Sequence, residues 1–197
     1  MTTIAILGQG SMGAGLAGRL ADRFALNLGA RQPQVGQLGY AEAVAGADIV
    51  VLALPYDAAL AAISTLDLAG KTVVDMTNPI TPDFAGLRFG HTTSAAEELQ
   101  QAAPGARVVK AFNTIFASLL SAPRAATAAV PVFIAGNDEA AVAAVTELVQ
   151  AAGFAVEQTG ALDAARLLEP VGMLNIRLGY GLGQGTSIAP TWLRVAA

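Results

Sequence analysis

At 197 residues the chain is long enough for one domain of ordinary size with a small appendage, and too short for a second large domain. Hydrophobic residues make up 54% and charged residues 13%, and the net charge of −4 comes without any Lys/Arg cluster, which argues against nucleic acid and for a small-molecule ligand. The lack of Cys excludes disulfides, thiolate metal sites and cysteine nucleophiles, and a single His cannot build a histidine metal site, so no metal is expected.

So apolar a chain is expected to cover part of its surface with a second copy, most simply as a homodimer. Its apolar runs are far shorter than the roughly 20 residues of a membrane span. The amino terminus shows no basic region or cleavage site, so a soluble, cytoplasmic protein is expected.

In chain order, "TIAIL" at 3–7 is a β-branched run without alternation, the pattern of a strand buried on both faces of a parallel sheet. The stretch "GQGSMG" follows. From Ser11 to about Phe24, Met12, Leu16, Leu20 and Phe24 recur every fourth residue and predict an amphipathic helix. "ALNLGA" at 25–30 reads as the second strand. Residues 31–46, broken by Pro33, Gly36 and Gly39, leave no room for a crossover helix and a third strand, so a loop and one turn of helix are expected. "DIVVLALP" at 48–55 and "KTVVDMTNP" at 71–79 each read as a strand and its turn, with a short helix, "YDAALAAIS", between them.

Another helix should start near Thr93 or Ser94, because Ser94 and Glu97 stand at capping-box spacing. "RVVKAFNT" at 107–114 and "VPVFIAG" at 130–136 are further strands, and "DEAAVAAVTELVQAAG" is a helix ending at Gly153. "FAVEQTG" reads as a last strand, and a longer helix through "LDAARLLEPVGMLNIRLGYGLGQG", kinked at Pro170, trails into a Gly-rich tail. The alternation predicts an α/β fold: a doubly wound, mostly parallel Rossmann sheet with a shortened connection after the second strand and a C-terminal helix. Residues 1–158 would form the dinucleotide-binding domain, and 159–197 a helix and tail completing the pocket and the dimer interface.

Gly8, Gly10 and Gly13 form G-x-G-x-x-G between a strand and a helix. Gly8 would permit the tight turn, Gly10 would let the backbone approach a pyrophosphate, and Gly13 would let helix and strand pack closely. The phosphates would sit on the amides of Ser11 and Met12, with Gln9 alongside. Where an NAD site carries a carboxylate at the end of the second strand, this chain reads Ala30-Arg31. An unopposed Arg31 would attract a 2′-phosphate and so favours NADP; the plainer explanation is a solvated arginine.

"ILGQGSMGAGLA", "DIVVLALP", "VVDMTNP", "SAAEELQ", "VVKAFNT", "VFIAGND" and "ARLLEP" together resemble the coenzyme F420-dependent NADP oxidoreductase family, in order and over nearly the whole chain. The resemblance implies that Ala53, Leu54 and Pro55 pass the cofactor's ribose and pyrophosphate, and that Asn78 and Pro79 lie near the nicotinamide ribose. It also implies that segment 111–117, with Ala111, Asn113 and Thr114, meets the nicotinamide and its partner ring. Glu169, Met173 and Leu174 would then close the pocket, with Thr114 and Met173 toward the substrate. Asn78-Pro79 can equally be a plain turn, and Asn113 a residue satisfying loop backbone. The chain departs from fuller members of the family at 31–46, where they carry a further helix and strand.

Carbonyl reduction needs a positioned acid, usually Tyr, Lys or His. His91 reads as a loop residue, neither Tyr56 nor Tyr180 shows Tyr-x-x-x-Lys spacing, and Lys110 and Asp75 read as strand residues, so no catalytic residue is assigned. A flavin or deazaflavin such as F420 demands less, because the hydride's charge spreads over a conjugated ring. The expected function is hydride transfer between NADP(H) and such a ring. The alternatives are a flavin or ferric-type reductase and an NADP(H)-binding sensor without turnover.

Overall fold

In the computed structural model, which describes residues 1–193 and 195, seven strands form one sheet in the order β2-β1-β3-β4-β5-β6-β7. β1 (Thr3–Leu7), β2 (Ala25–Gly29), β3 (Ile49–Leu52), β4 (Thr72–Asp75) and β5 (Arg107–Lys110) are all parallel. β6 (Pro131–Gly136) runs antiparallel to β5, and β7 (Ala155–Gln158) lies parallel to β6. The sheet is thus Rossmann-like and mostly parallel.

Both faces are covered, which is why the strands read as unbroken apolar runs. Ile4, Ile6, Val51, Val74 and Val109 pack toward α1 (Ser11–Leu20) and the later helices α5 (Ala117–Ser121) and α7 (Glu139–Ala151). Ala5, Leu7, Val50, Leu52 and Val73 pack toward α2 (Tyr40–Ala45), α3 (Tyr56–Ile63) and α4 (Ala95–Ala102). The predicted cap is present: Ser94 Oγ accepts the Glu97 N–H and donates to the Glu97 carboxylate. Gly153, at φ +84°, is the left-handed residue after α7.

The 31–46 stretch matches its expected economy. Leu38 forms a single parallel bridge with Gly29, and the six residues of α2 pack on the sheet edge. β2 therefore stays an edge strand.

Two short helices, α5 and α6 (Arg124–Thr127), occupy 115–129, where no element was expected. Arg19, 5% exposed, holds them: its guanidinium donates to the carbonyls of Leu119, Leu120, Ala122 and Ala152 and to Thr127 Oγ1 at 2.6–3.1 Å. These carbonyls lie at or just beyond the C-terminal ends of α5 and α7, which carry partial negative charge and stand in for a carboxylate. Burial and the neighbouring Arg124 hold the Arg19 pKa below its ordinary value.

The expected single C-terminal helix is composite. A 3₁₀ turn at Leu162–Ala164 leads into α8 (Ala165–Ile176), which continues past Pro170 and ends in a π-helical turn, Arg177–Gly181. Gly179 faces Phe116 so closely that an added Cβ would come 2.5 Å from its ring, so the widened turn fits a close helix–loop approach.

Candidate functional site

The sheet reverses its winding between β1 and β3, the place where open α/β sheets bind ligands beyond the strand carboxyl ends. There, Gly8 at φ +103° turns the chain and donates its N–H to Gly29 O at 3.0 Å. A Cβ on Gly8 would strike Ala53 O at 2.3 Å, and one on Gly13 would strike Gly8 O at 1.9 Å. Gly10 differs: a Cβ would meet nothing within 4 Å. Gly8 and Gly13 are therefore required by packing, whereas Gly10 faces open space. Gly10 is also the N-cap of α1 and brings no capping side chain, so the first helical N–H groups stay available to a ligand.

Two cavities run from this point. One of about 300 Å³ is lined by Gly10, Ser11, Met12, Ala53, Leu54, Pro55 and Met76. The second, about 220 Å³, includes Asn78, Asn113, Thr114, Phe116, Gly172 and Asn175. Both share Met12 and Met76, so they trace one groove across the ends of β1, β3, β4 and β5. Beyond it lies a hollow of about 720 Å³ bounded by Phe84, Met173, Ile176, Arg177, Tyr180 and Leu182, which shares Ile176 and Tyr180 with the second cavity.

The floor of the second cavity is a polar shelf. Asn78 Nδ2 donates to Asn113 O at 2.8 Å, and Asn113 Nδ2 donates to Asn78 Oδ1 at 2.9 Å and to Leu168 O at 3.0 Å. α8 reaches this shelf because residue 172 is glycine: a Cβ would come 2.8 Å from Asn113 O. Phe112, fully buried, adopts φ +63°, a conformation costly for a non-glycine residue, and so turns the chain at the end of β5. Three enclosed oxygens, Thr77 Oγ1, Asn113 Oδ1 and Thr114 Oγ1, have no partner among the described residues. Leaving such atoms without partners is costly, and of the three residues Asn113 and Thr114 line the second cavity, where a polar ligand would lie beside them.

Beneath the shelf lies a buried ion cluster. Lys110 Nζ donates to Asp75 Oδ2 at 2.9 Å, Glu169 Oε1 at 2.7 Å and Thr77 O at 2.6 Å. Glu169 also accepts the N–H groups of Ala95 and Ala96 at the start of α4. One cluster thereby ties β4, β5, α4 and α8 together. Burial pushes the Glu169 carboxyl above its ordinary 4.5, against the downward pull of Lys110. The folded protein holds this proton after the unfolded chain has released it. The contribution to stability is therefore full below about 4.5 and declines as pH rises through the raised folded value. As pH rises above about 4.5, unfolding free energies of wild type and Glu169→Gln should drift in favour of the variant. A constant difference would mean that this carboxyl does not titrate there.

Of the residues singled out from the sequence, Gly10, Ser11, Met12, Ala53, Leu54, Pro55, Asn78, Asn113 and Thr114 line the groove, and Met173 lines the hollow. Gly8 and Gly13 lie under the loop. The Gln9 amide is spent on Ile6 O and Gly29 O. Ala111 is enclosed in the core, its N–H bonded to Asp75 O at 3.0 Å, and lines none of these cavities. Pro79 is buried behind Asn78, and Ala30 and Arg31 lie at the end of β2, outside both cavities. Glu169 turns away from the pocket onto Lys110, and Leu174 is exposed. Tyr56 is buried and donates its hydroxyl to Glu98; burial first, then Glu98, raises its pKa, and it serves the scaffold.

Sequence reasoning missed Met76, Gly172, Asn175 and Tyr180 as lining residues, and the ion cluster as a unit. Charges set inside the apolar runs "TVVDM" and "RVVKAF" were its one available signal, since buried charges must be paired. Among the described residues no group of three or more His, Cys, Asp or Glu could hold a metal ion, and no helix is long and apolar enough to cross a membrane.

Comparison with known proteins gives a consistent result. The sequence profile of the family described as NADP oxidoreductase, coenzyme F420-dependent, matches residues 21–79. The F420-dependent NADP reductase of Methanocaldococcus jannaschii is 29% identical over 222 residues, spanning 98% of this chain and 99% of that protein. Metalloreductase STEAP3 of Rattus norvegicus is 33% identical over 180 residues, 85% of this chain but only 36% of the rat protein's length. A crystal structure of a candidate F420-dependent NADP reductase from Arthrobacter sp. FB24 superposes with a TM-score of 0.87 at 31% identity, covering 98% of this chain and all of that one. With 31% identity and a shared fold over the full length of that relative, the chain belongs to the coenzyme F420-dependent NADP oxidoreductase family.

Proposed function

We propose that the chain binds NADP(H) along the groove and exchanges a hydride between the nicotinamide and a flavin or F420-type deazaflavin ring in the adjoining hollow. The observation that carries this reading is the continuity of the glycine cradle, the groove and the hollow along the strand carboxyl ends. Gly10 and the start of α1 would take the pyrophosphate, Ala53, Leu54 and Pro55 the adjacent ribose, and the Asn78–Asn113 shelf the nicotinamide end. The open face of Gly10 and the unpartnered Asn113 and Thr114 oxygens fit a ligand with phosphate at one end and polar groups at the other.

A bound dinucleotide would supply the chemistry, a hydride carrying two electrons to the acceptor ring, with the balancing proton drawn from solvent. The chain's part is to hold two rings face to face and exclude water between them. Among the described residues, the titratable side chains lining groove and hollow are Tyr180 and Arg177. Tyr180 stands edge-on to Phe116 at 5.3 Å with no lysine beside it, an arrangement better suited to stacking than to protonating an alkoxide. A sensor of the dinucleotide alone would have no use for a second hollow. Leu167 and Leu174, exposed seven residues apart on α8 and not among the residues lining the hollow, support a homodimer through that helix.

Calorimetric titration with NADPH followed by anaerobic addition of FMN or F420 tests the reading. Binding followed by bleaching of the acceptor is the expected result; binding without bleaching favours the sensor, and no binding removes both. Arg31 is exposed and makes no hydrogen bond or ion pair with the described residues, so it is free to meet a 2′-phosphate. Arg31→Ala should weaken NADPH roughly tenfold or more and leave NADH nearly unchanged. Equal losses for both would remove the 2′-phosphate role.

A further inference from the structure

The hollow beside Tyr180 is walled by apolar and aromatic side chains, and one charged group, Arg177, stands at its rim. We propose that Arg177 is an anion subsite that selects hydride acceptors carrying a phosphate or carboxylate tail over acceptors with the same ring and no charge. The proposal rests on the hydride-transfer reading above and adds to it the chemistry of the acceptor's tail.

The chain is acidic, and it spends most of its cations on its own structure. Among the described residues, only Arg23, Arg31 and Arg177 of the lysines and arginines make no side-chain hydrogen bond or ion pair; the others are held by carboxylates or carbonyls. Arg31 follows β2, beside the glycine loop, and Arg177 stands at the far end of the chain of cavities. Arg23 lies beyond the C-terminal end of α1, away from the groove. In a chain of net charge −4, two unspent guanidinium groups flanking one ligand path are out of keeping with solvated decoration.

The surroundings of Arg177 suit an anion attached to a flat ring. Phe84, Met173, Ile176 and Leu182 offer apolar contact, and Tyr180 offers an aromatic edge. The nearest carboxylate in the facing loop, Asp83, is already engaged: it accepts the Thr81 hydroxyl at 2.5 Å and the Ala85 N–H at 3.1 Å, which hold its pKa below the ordinary value. It does not line the hollow. Arg177 opens the π-helical turn, whose Leu182 N–H returns to Arg177 O at 2.9 Å, so its backbone is anchored while its side chain stays exposed. A guanidinium fork on an anchored turn can meet two oxygens of a phosphate or carboxylate at once.

The test uses the full chain with saturating NADPH and two matched pairs of acceptors. FMN and riboflavin share one ring and differ by a phosphate; F420 and its deazariboflavin core share another and differ by the anionic tail. In whichever pair accepts hydride, the wild type should show a KM roughly tenfold lower for the charged member. Arg177→Gln should bring the two KM values together, and Arg177→Lys should restore part of the ratio. Because the ratio is read, general damage to the hollow would move both members alike. Equal KM values in the wild type, or a ratio that survives in Arg177→Gln, would overturn the subsite while leaving hydride transfer standing. If none of the four acceptors is reduced, the hydride-transfer reading itself fails, and the subsite fails with it.

Discussion

Replacement of Lys110 by methionine is expected to destabilise the protein by about 3–5 kcal/mol, because it removes one partner of a buried ion cluster and leaves the others in place. Lys110 is fully buried, and its ammonium meets Asp75, Glu169 and the Thr77 carbonyl within 2.9 Å. Methionine matches the length and apolar character of the lysine stem, so little of the loss would come from packing. Asp75 would lose its charged partner in an environment that excludes water, and Glu169 would keep only the two amides of α4. Urea unfolding should show a lower midpoint with an unchanged slope. A loss below about 1 kcal/mol would mean that the cluster does without the lysine at little cost. The consequence reaches the groove, since the same ammonium joins the strand ends that carry Asn78 and Asn113 to the helix that covers them.

The glycine loop offers a second large effect, and a contrast within one motif. Gly10→Val should fold with a stability within about 1 kcal/mol of wild type, since residue 10 has an ordinary extended conformation (φ −72°, ψ −177°) and an added Cβ meets nothing within 4 Å. The same substitution should weaken NADPH binding tenfold or more, because in the proposed site the valine would stand where the pyrophosphate comes up to the backbone. Gly13→Ala should do the reverse in kind. Its methyl would lie 1.9 Å from Gly8 O, so the loop must shift, at a cost of about 1–3 kcal/mol or more in stability, and binding is lost as a result. Thermal unfolding and calorimetry on the two variants separate the cases. NADPH bound by Gly10→Val as tightly as by wild type would refute the cradle.

Much of this site was legible in local spacing. The interval between strand and helix around Gly8, Gly10 and Gly13, the cap at Ser94 and the short 31–46 connection all depend on residues close in sequence, and the structure has them where spacing put them. Tyr180 was not legible as a lining residue. A Gly-rich stretch reads as a tail, and only the packing of Gly179 against Phe116 makes it a turn of helix beside the groove. Helices α5 and α6 were missed for a similar reason: each is too short to show a period, and they are held by Arg19, about a hundred residues earlier in the chain.

By itself the sequence determined the alternation of buried strands and amphipathic helices, the glycine turn between the first strand and first helix and the lack of a carboxylate after the second strand, because each is set by the order of neighbouring side chains. Tertiary structure alone decided the rest: the antiparallel return of β6, the meeting of Asp75, Lys110 and Glu169, and the opening of a hollow beneath Arg177. Those features depend on which elements pair and in what register. That choice is made by burying apolar faces and satisfying buried charge across the whole molecule, and no local period carries it.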